Sequence, residues 1–314
     1  MCAFTIYISL EGGAGMNKIR EYRKQSRLTQ KELAKLMHTT QQTIGRWENG
    51  NPEPSLANLR DLAFVLKTTV GALLGNPWAS KQSSRYFLHL KDKEDGLDGF
   101  WGNLGILPTG KTESLWYPIT IGTCDLLTAS LENCDPFYFE TLNNKLVIAN
   151  PKNIKRFVTL DEAADAFPGD WNIEWHEFGY VSIELYDAFE AYLDERNQLK
   201  TENNTLSENL RETIKKIMVD HELDDDDLLK FTSGIRIFYQ DGTTESYTLT
   251  NFDFIDHIVF TAFSLDGFPK TLPIIDDEFS MYIPTDSIAL IELPLLKANE
   301  ALSRLNSLED EGIE

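Results

Sequence analysis

Gln41, Gln42, Thr43 and Arg46 stand close together, and each bears a side chain able to reach a base edge or a phosphate. A glutamine amide donates to N7 and accepts from N6 of adenine. A threonine methyl meets that of thymine, and an arginine takes guanine or phosphate. Two helices must present these groups. Thr29 is placed to cap the first, with Gln30 in its first turn and Leu33, Leu36 and Met37 on its apolar face. Thr40 is placed to cap the second, which buries Ile44 and Trp47 and stops at Asn49-Gly50. Only His38, Thr39 and Thr40 separate the two periodic runs, a link short enough to fix a steep angle between helices.

The flanks complete a small bundle. Ile19, Tyr22 and Arg23 share one face of a preceding helix. Pro52 to Ser55 make a turn, Leu56, Leu59, Leu62, Ala63 and Leu66 line a later helix, and Val70, Leu73 and Leu74 close it before Gly75. From Met16 to Gly75, under a fifth of the chain, the sequence resembles the Cro/repressor (XRE-type) family of helix-turn-helix domains. The run Thr-Gln-Gln-Thr-Ile…Trp-Glu-Asn-Gly carries that resemblance. It implies an all-α bundle of about five helices that binds double-stranded DNA. It also implies a structural ion pair between Arg23 and Glu48 and a phosphate contact from Gln30 at a helix start. Thr40, Gln41, Gln42, Thr43 and Arg46 fall at base-reading positions, and Asn49 where the family touches the DNA backbone. Two residues depart from the pattern. His38 replaces the usual turn glycine, and His is among the residues enriched at positive φ. Gly45 lies inside the recognition helix at a cost of about 1 kcal/mol relative to Ala, which is read either as close approach to DNA or as a weakened helix.

Charge divides the chain in two. Residues 16–75 hold ten Lys or Arg against five Asp or Glu, so the rest carries more than the whole net charge of −21. A basic head on an acidic body binds phosphate only through the head. Three cysteines, Cys2, Cys124 and Cys134, form no paired framework or metal-ligand spacing, and five histidines include no zinc-binding pair, so neither metal nor cofactor is expected. No apolar run approaches a bilayer span, and a reducing cytoplasm is the expected location. Residues 1–15 lack the basic flank of a secretion signal. Glu11-Gly12-Gly13 would be encoded by a sequence resembling a ribosome-binding site, so translation is expected to start at Met16. The intact mass from the native host tests this.

Past Asn76-Pro77 helices give way to strands, and the expected fold is multidomain α+β. Residues 76–110 read as a turn-rich linker and 111–180 as a first β-rich region, with strands at 116–122, 136–141, 145–149 and 155–160 and a hairpin turn at Asn143-Asn144. A second β-rich region spans 232–296, with strands at 234–239, 244–250, 257–263, 280–283 and 287–293; 297–314 reads as an acidic tail. The run from Val147 to Ile154 echoes that from Tyr282 to Ile288: strand, turn, then a strand starting at Ile. This suggests two small barrels, the second similar in strand order to Sm-like or SH3-like barrels.

Residues 181–222 read as one long helix between them. Leu185, Tyr192, Leu199, Leu206 and Thr213 fall at d of a heptad, and Phe189, Arg196, Asn203, Leu210 and Ile217 at a. Leu199, Asn203, Leu206 and Leu210 would form the dimer seam of a coiled coil, the lone Asn setting register. The alternative is a helix packed on its own β regions. Pairing is favoured because small DNA-binding heads gain affinity by joining two half-sites.

Other motifs point to chemistry less well. Gly105 to Thr112 matches the phosphate-cradling pattern, which requires a strand before and a helix at the lysine. Asp224 to Asp227 lacks calcium-loop spacing and reads as a solvated turn. Trp171, Trp175, Phe178 and Tyr180 read as core rather than a ligand pocket. The chain therefore reads as a dimeric, sequence-specific transcription regulator, a repressor and not an enzyme. Its acidic body would serve oligomerisation, effector sensing or protein binding. The rivals are an antitoxin-like regulator whose acidic body binds a basic protein, and a nucleotide-dependent enzyme with a DNA-targeting head built around Lys111.

Overall fold

A computed structural model describes residues 18–75, 100–131, 136–174, 182–197, 206–248, 255, 258–259, 269–275 and 280–310. The expected leader, residues 1–15, lies outside them.

The head is five short helices: α1 (Ile19–Gln25), α2 (Gln30–Leu36), α3 (Gln41–Glu48), α4 (Leu56–Val65) and α5 (Val70–Leu73). Four begin at a hydroxyl cap, where Thr29, Thr40, Ser55 and Thr69 each accept from a backbone N–H three residues on. Ile19, Leu33, Ile44, Leu62, Leu66 and Leu73 are fully buried in one core.

Among its described residues the body contains ten strands. In its first half these are β1 (Phe100–Pro108), β2 (Leu115–Thr120), β3 (Phe137–Glu140), β4 (Lys145–Ala149) and β5 (Ile154–Asp161), with helix α6 (Ile121–Leu131) between β2 and β3. Next come α7 (Ile183–Arg196), α8 (Glu208–Asp220) and α9 (Asp225–Ser233). The second half holds β6 (Gly234–Tyr239), β7 (Thr244–Thr248), β8 (Thr271–Ile275), β9 (Ser280–Pro284) and β10 (Ile288–Pro294), followed by α10 (Leu295–Asp310). Three antiparallel sheets result, in the orders β2-β1-β5, β3-β4-β10-β6-β7 and β8-β9. The two β-rich regions thus share the five-stranded sheet, and do not stand as two separate barrels.

Alternation along β4 shows how that sheet is covered. Val147 faces Leu104, Ile106, Tyr117 and Phe139 in one core, while Leu146 and Ile148 face Ile235, Ile237, Ile291 and Leu293 in another. Ala298 and Ala301 of α10 are buried in the second core, so the expected acidic tail is, at its start, a packed helix. Ile258 and Val259, expected in a strand, are helical and buried in the same core. The expected linker is also cut short, because β1 begins at Phe100 and forms the centre of a sheet.

The long helix is two helices. Arg211 Nε lies 2.8 Å from Glu195 Oε2, sixteen positions away in sequence; in one continuous helix that separation would be about 24 Å. Leu206 and Leu210, expected to face a partner chain, are buried with Ile183, Tyr186 and Phe189 of α7. The coiled-coil register fails because the apolar faces of α7 and α8 are buried within the chain, in one core that Leu228 of α9 completes. Leu199 and Asn203 of the expected seam lie outside the described residues. The expected turn at Asp224–Asp227 starts α9, where Asp224 and Asp227 form a reciprocal capping box.

The head docks on this helical layer. Arg60 of α4 pairs with Asp187 of α7 at 3.1 Å, Ser207 Oγ donates to Asp61 at 2.5 Å, and Phe64 packs against the α7–α9 core. Among the described residues no helix is long and apolar enough to cross a membrane.

The echo between the two halves extends to their geometry. A single 3-10 turn joins β4 to β5 (Pro151–Asn153) and another joins β9 to β10 (Thr285–Ser287). Superposing Ile154 on Ile288 brings other features into coincidence. The β1–β5 register shifts where Lys155 is skipped, and the β6–β10 register shifts where Ala289 is skipped. Thr109 N donates to Asn153 O at 3.0 Å, and Gln240 N to Ser287 O at 2.9 Å.

Candidate nucleic-acid interface

The geometry of α2 and α3 starts with their caps. Thr29 Oγ1 accepts from Glu32 N at 3.2 Å while the Glu32 carboxylate accepts from Thr29 N at 2.7 Å, a closed capping box. Thr40 Oγ1 accepts from Thr43 N at 3.1 Å and lies 2.9 Å from the Thr43 hydroxyl. These oxygens are occupied within the protein, which leaves the threonine methyls for an outside contact. His38 adopts φ 49° in the turn between the helices, the conformation its replacement of glycine requires. Ile44 and Trp47 anchor α3 in the core.

Opposite that anchor, Thr40, Gln41, Gln42, Arg46 and Asn49 are exposed and Thr43 is half-buried. Gln42 and Arg46 spend no polar atom on another side chain among the described residues. Gln41 is steered from behind, with its Nε2 3.4 Å from Gln30 Oε1. Gln30 Nε2 in turn donates to Glu48 Oε2 at 2.9 Å. The Gln30 amide is thus engaged inside the protein, although the resemblance assigned it to a phosphate.

Glu48 is the centre of this network. Arg23 Nε donates to its Oε1 at 2.5 Å and Arg20 Nε to its Oε2 at 3.2 Å. Burial by itself would raise the Glu48 carboxyl; hydrogen bonds from Arg23 and Gln30 and the Arg23 charge outweigh it and hold the group below the usual carboxylate range. Arg20 was not singled out from sequence. It also donates to Asn49 Oδ1 at 2.6 Å, tying α1 to the end of α3. The available signal was its three-residue spacing from Arg23, which puts both on one helix face. One carboxylate faces two guanidiniums, and the half-exposed Arg20 presents the surplus positive charge beside Asn49.

Elsewhere the phosphate-loop match does not adopt the required geometry. Gly105 to Pro108 belong to β1, and the next element after Lys111 is strand β2, not a helix. A Cβ on Gly110 would lie 2.0 Å from the Gly242 nitrogen, so this glycine serves close packing of two turns. Lys111 Nζ rests 5.7 Å from the Phe238 ring centre. Trp171 packs edge-on against Trp116 at 4.7 Å; Trp175, Phe178 and Tyr180 lie outside the described residues.

A second buried carboxylate, Glu292, joins the strands of the body. Tyr117 Oη donates to it at 2.5 Å, Arg236 at 2.6 Å, and Lys145 Nζ lies 3.3 Å away. Its burial is overcome by the Arg236 and Lys145 charges, which bring its pKa down to about 2.

The helix-turn-helix family model matches residues 19–73, the segment that resembles Cro/repressor domains. No curated protein matches the chain, and no solved structure does.

Proposed function

From a DNA-binding helix-turn-helix domain at residues 19–73, we propose that this chain is a sequence-specific transcription regulator, a cytoplasmic repressor that binds an operator through α3. The observation that supports this most is the exposed row Gln41, Gln42 and Arg46 on a helix anchored by Ile44 and Trp47. In this reading Gln41 and Gln42 read adenine, Thr40 and Thr43 offer methyls to thymine, and Arg46 takes guanine or phosphate. Asn49 contacts the DNA backbone. Gln30 acts through Gln41, and Arg20 supplies backbone attraction beside Asn49. Two copies act together on two half-sites, and the chain works by binding rather than by catalysis. The acidic body, repelled by nucleic acid, provides the contact between copies and the surface for an effector or protein partner.

Selection from random duplex DNA with the full-length protein, at a stated salt concentration, tests the reading. Two inverted half-sites about one helical turn apart are expected. Gln42→Ala should weaken the selected site by about 1–3 kcal/mol and relax preference at one base pair. Arg20→Ala should weaken all sequences alike and lessen the salt dependence. Absence of enrichment by a folded protein would overturn the reading.

A further inference from the structure

Each half of the body repeats one connectivity: β1 to β5 correspond in order to β6 to β10, with the same 3-10 turn before the last strand. The halves are therefore expected to leave the same edges open. They nearly do. β2 and β7 are both edges, as are β3 and β8. The exception is a single joint, in which β4 of the first half pairs antiparallel with β10 of the second. Its counterparts, β9 and β5, have no such neighbour: among the described residues β9 pairs only with β8, and β5 only with β1.

We propose that β5 of one copy of this chain pairs with β9 of another, repeating between molecules the joint that β4 and β10 make within one. The observed joint sets Leu290 opposite Ala149, Ile291 opposite Ile148, Glu292 opposite Val147 and Leu293 opposite Leu146. Carried over by the superposition of Ile154 on Ile288, it sets Arg156 opposite Ile283, Phe157 opposite Tyr282, Val158 opposite Met281 and Thr159 opposite Ser280. The exposed groups fit this register. Tyr282 is 63% exposed, unusually for so large a ring in a strand, and Phe157 is its partner across the joint. Where the inner joint carries the buried Glu292, the outer one carries Val158 against Met281, so no charge is left without a counter-ion. The outer joint is one bond shorter, because Asn150 N donates to Ala289 O while its counterpart Pro284 has no N–H. Open strand edges pair readily with another chain unless blocked. Since the two edges differ, the contact is head-to-tail. This inference supplies the surface for the proposed association of copies and stands independently of DNA binding.

Light scattering of the full chain after size exclusion, with Tyr282→Lys and Thr159→Pro alongside, tests it. The expected result is a multiple of the chain mass that falls to one chain in both variants, with unchanged circular dichroism in Tyr282→Lys. A chain carrying both Thr159→Cys and Ser280→Cys, two exposed positions, should be cross-linked between molecules by a short bis-maleimide well beyond either single variant. A single-chain mass at all concentrations, an assembly that survives Tyr282→Lys, or a double variant no better linked than the singles would overturn the proposal. A Gln42→Ala chain that loses DNA but keeps its assembled mass would separate failure of the head from failure of this joint.

Discussion

Head and body each hold a buried carboxylate ringed by positive charge, Glu48 and Glu292, yet these two recruit their partners from very different distances along the chain. Glu48 takes Arg20, Arg23 and Gln30 from 28, 25 and 18 residues away, and so locks three successive helices. Glu292 takes Tyr117 from 175 residues away and Arg236 from 56, locking strands that come from both halves of the body. The same electrostatic device thus closes a local unit in one region and a non-local one in the other. Local contacts cost little loop entropy, whereas distant ones form only with the whole sheet. The surroundings differ too. Arg20 is half-exposed and can be rehydrated if Glu48 is lost, while the Lys145 side chain is only 16% exposed beside Glu292.

Glu292→Gln should have the largest effect, a loss of about 3–5 kcal/mol in urea unfolding of the body, because two cations lose a buried counter-charge. Its pH dependence sharpens the point. The folded pKa of about 2 lies below the ordinary 4.5, so the stability contributed is complete above pH 4.5 and is lost as pH falls toward 2. The variant should have a flatter stability curve across that window, and equal slopes would refute the role given to Glu292. Glu48→Gln should cost less, about 2 kcal/mol and in the head alone, because Arg23 keeps its bond to Leu28 O and Arg20 turns to water. A loss equal to that of Glu292→Gln would erase the contrast between the regions. Thr40→Ala should lower the head's stability by about 1 kcal/mol through loss of one cap. Gly45→Ala should raise it by about 0.5–1 kcal/mol, since the nearest atom to an added Cβ is Gln30 Nε2 at 3.8 Å. If it also weakens DNA binding, the glycine serves close approach to the duplex.

Much of the head was legible because its determinants lie within a few residues of the positions they control. Thr29 and Thr40 cap the helices that follow them, and His38 takes the turn conformation in place of glycine. The engagement of the Gln30 amide by Glu48 was not legible, because it depends on how α2 meets α3. In the body the strand at 145–149 and the hairpin turn at Asn143-Asn144 followed from β-branched residues and turn chemistry. Helix α6 has no counterpart in the sequence reading, whose strand at 116–122 reaches only its first two residues, although Thr120 Oγ1 accepts from Thr123 N at 3.2 Å as a cap would.

The amino-acid pattern by itself determined the head: its caps, its buried face, its exposed glutamines and arginine, and the excess of positive charge that sets it apart from the rest. It also determined the internal echo between Val147–Ile154 and Tyr282–Ile288, because a strand, a tight turn and a second strand are written in neighbouring residues. Only the tertiary structure decided that α7 and α8 fold back on each other, since an apolar stripe of helical period fits a partner chain and an adjacent helix equally well. The pairing of β4 with β10, and with it the burial of Glu292, was likewise decided there. A strand's composition specifies that an edge will be covered, and the fold of the remaining chain selects which edge covers it.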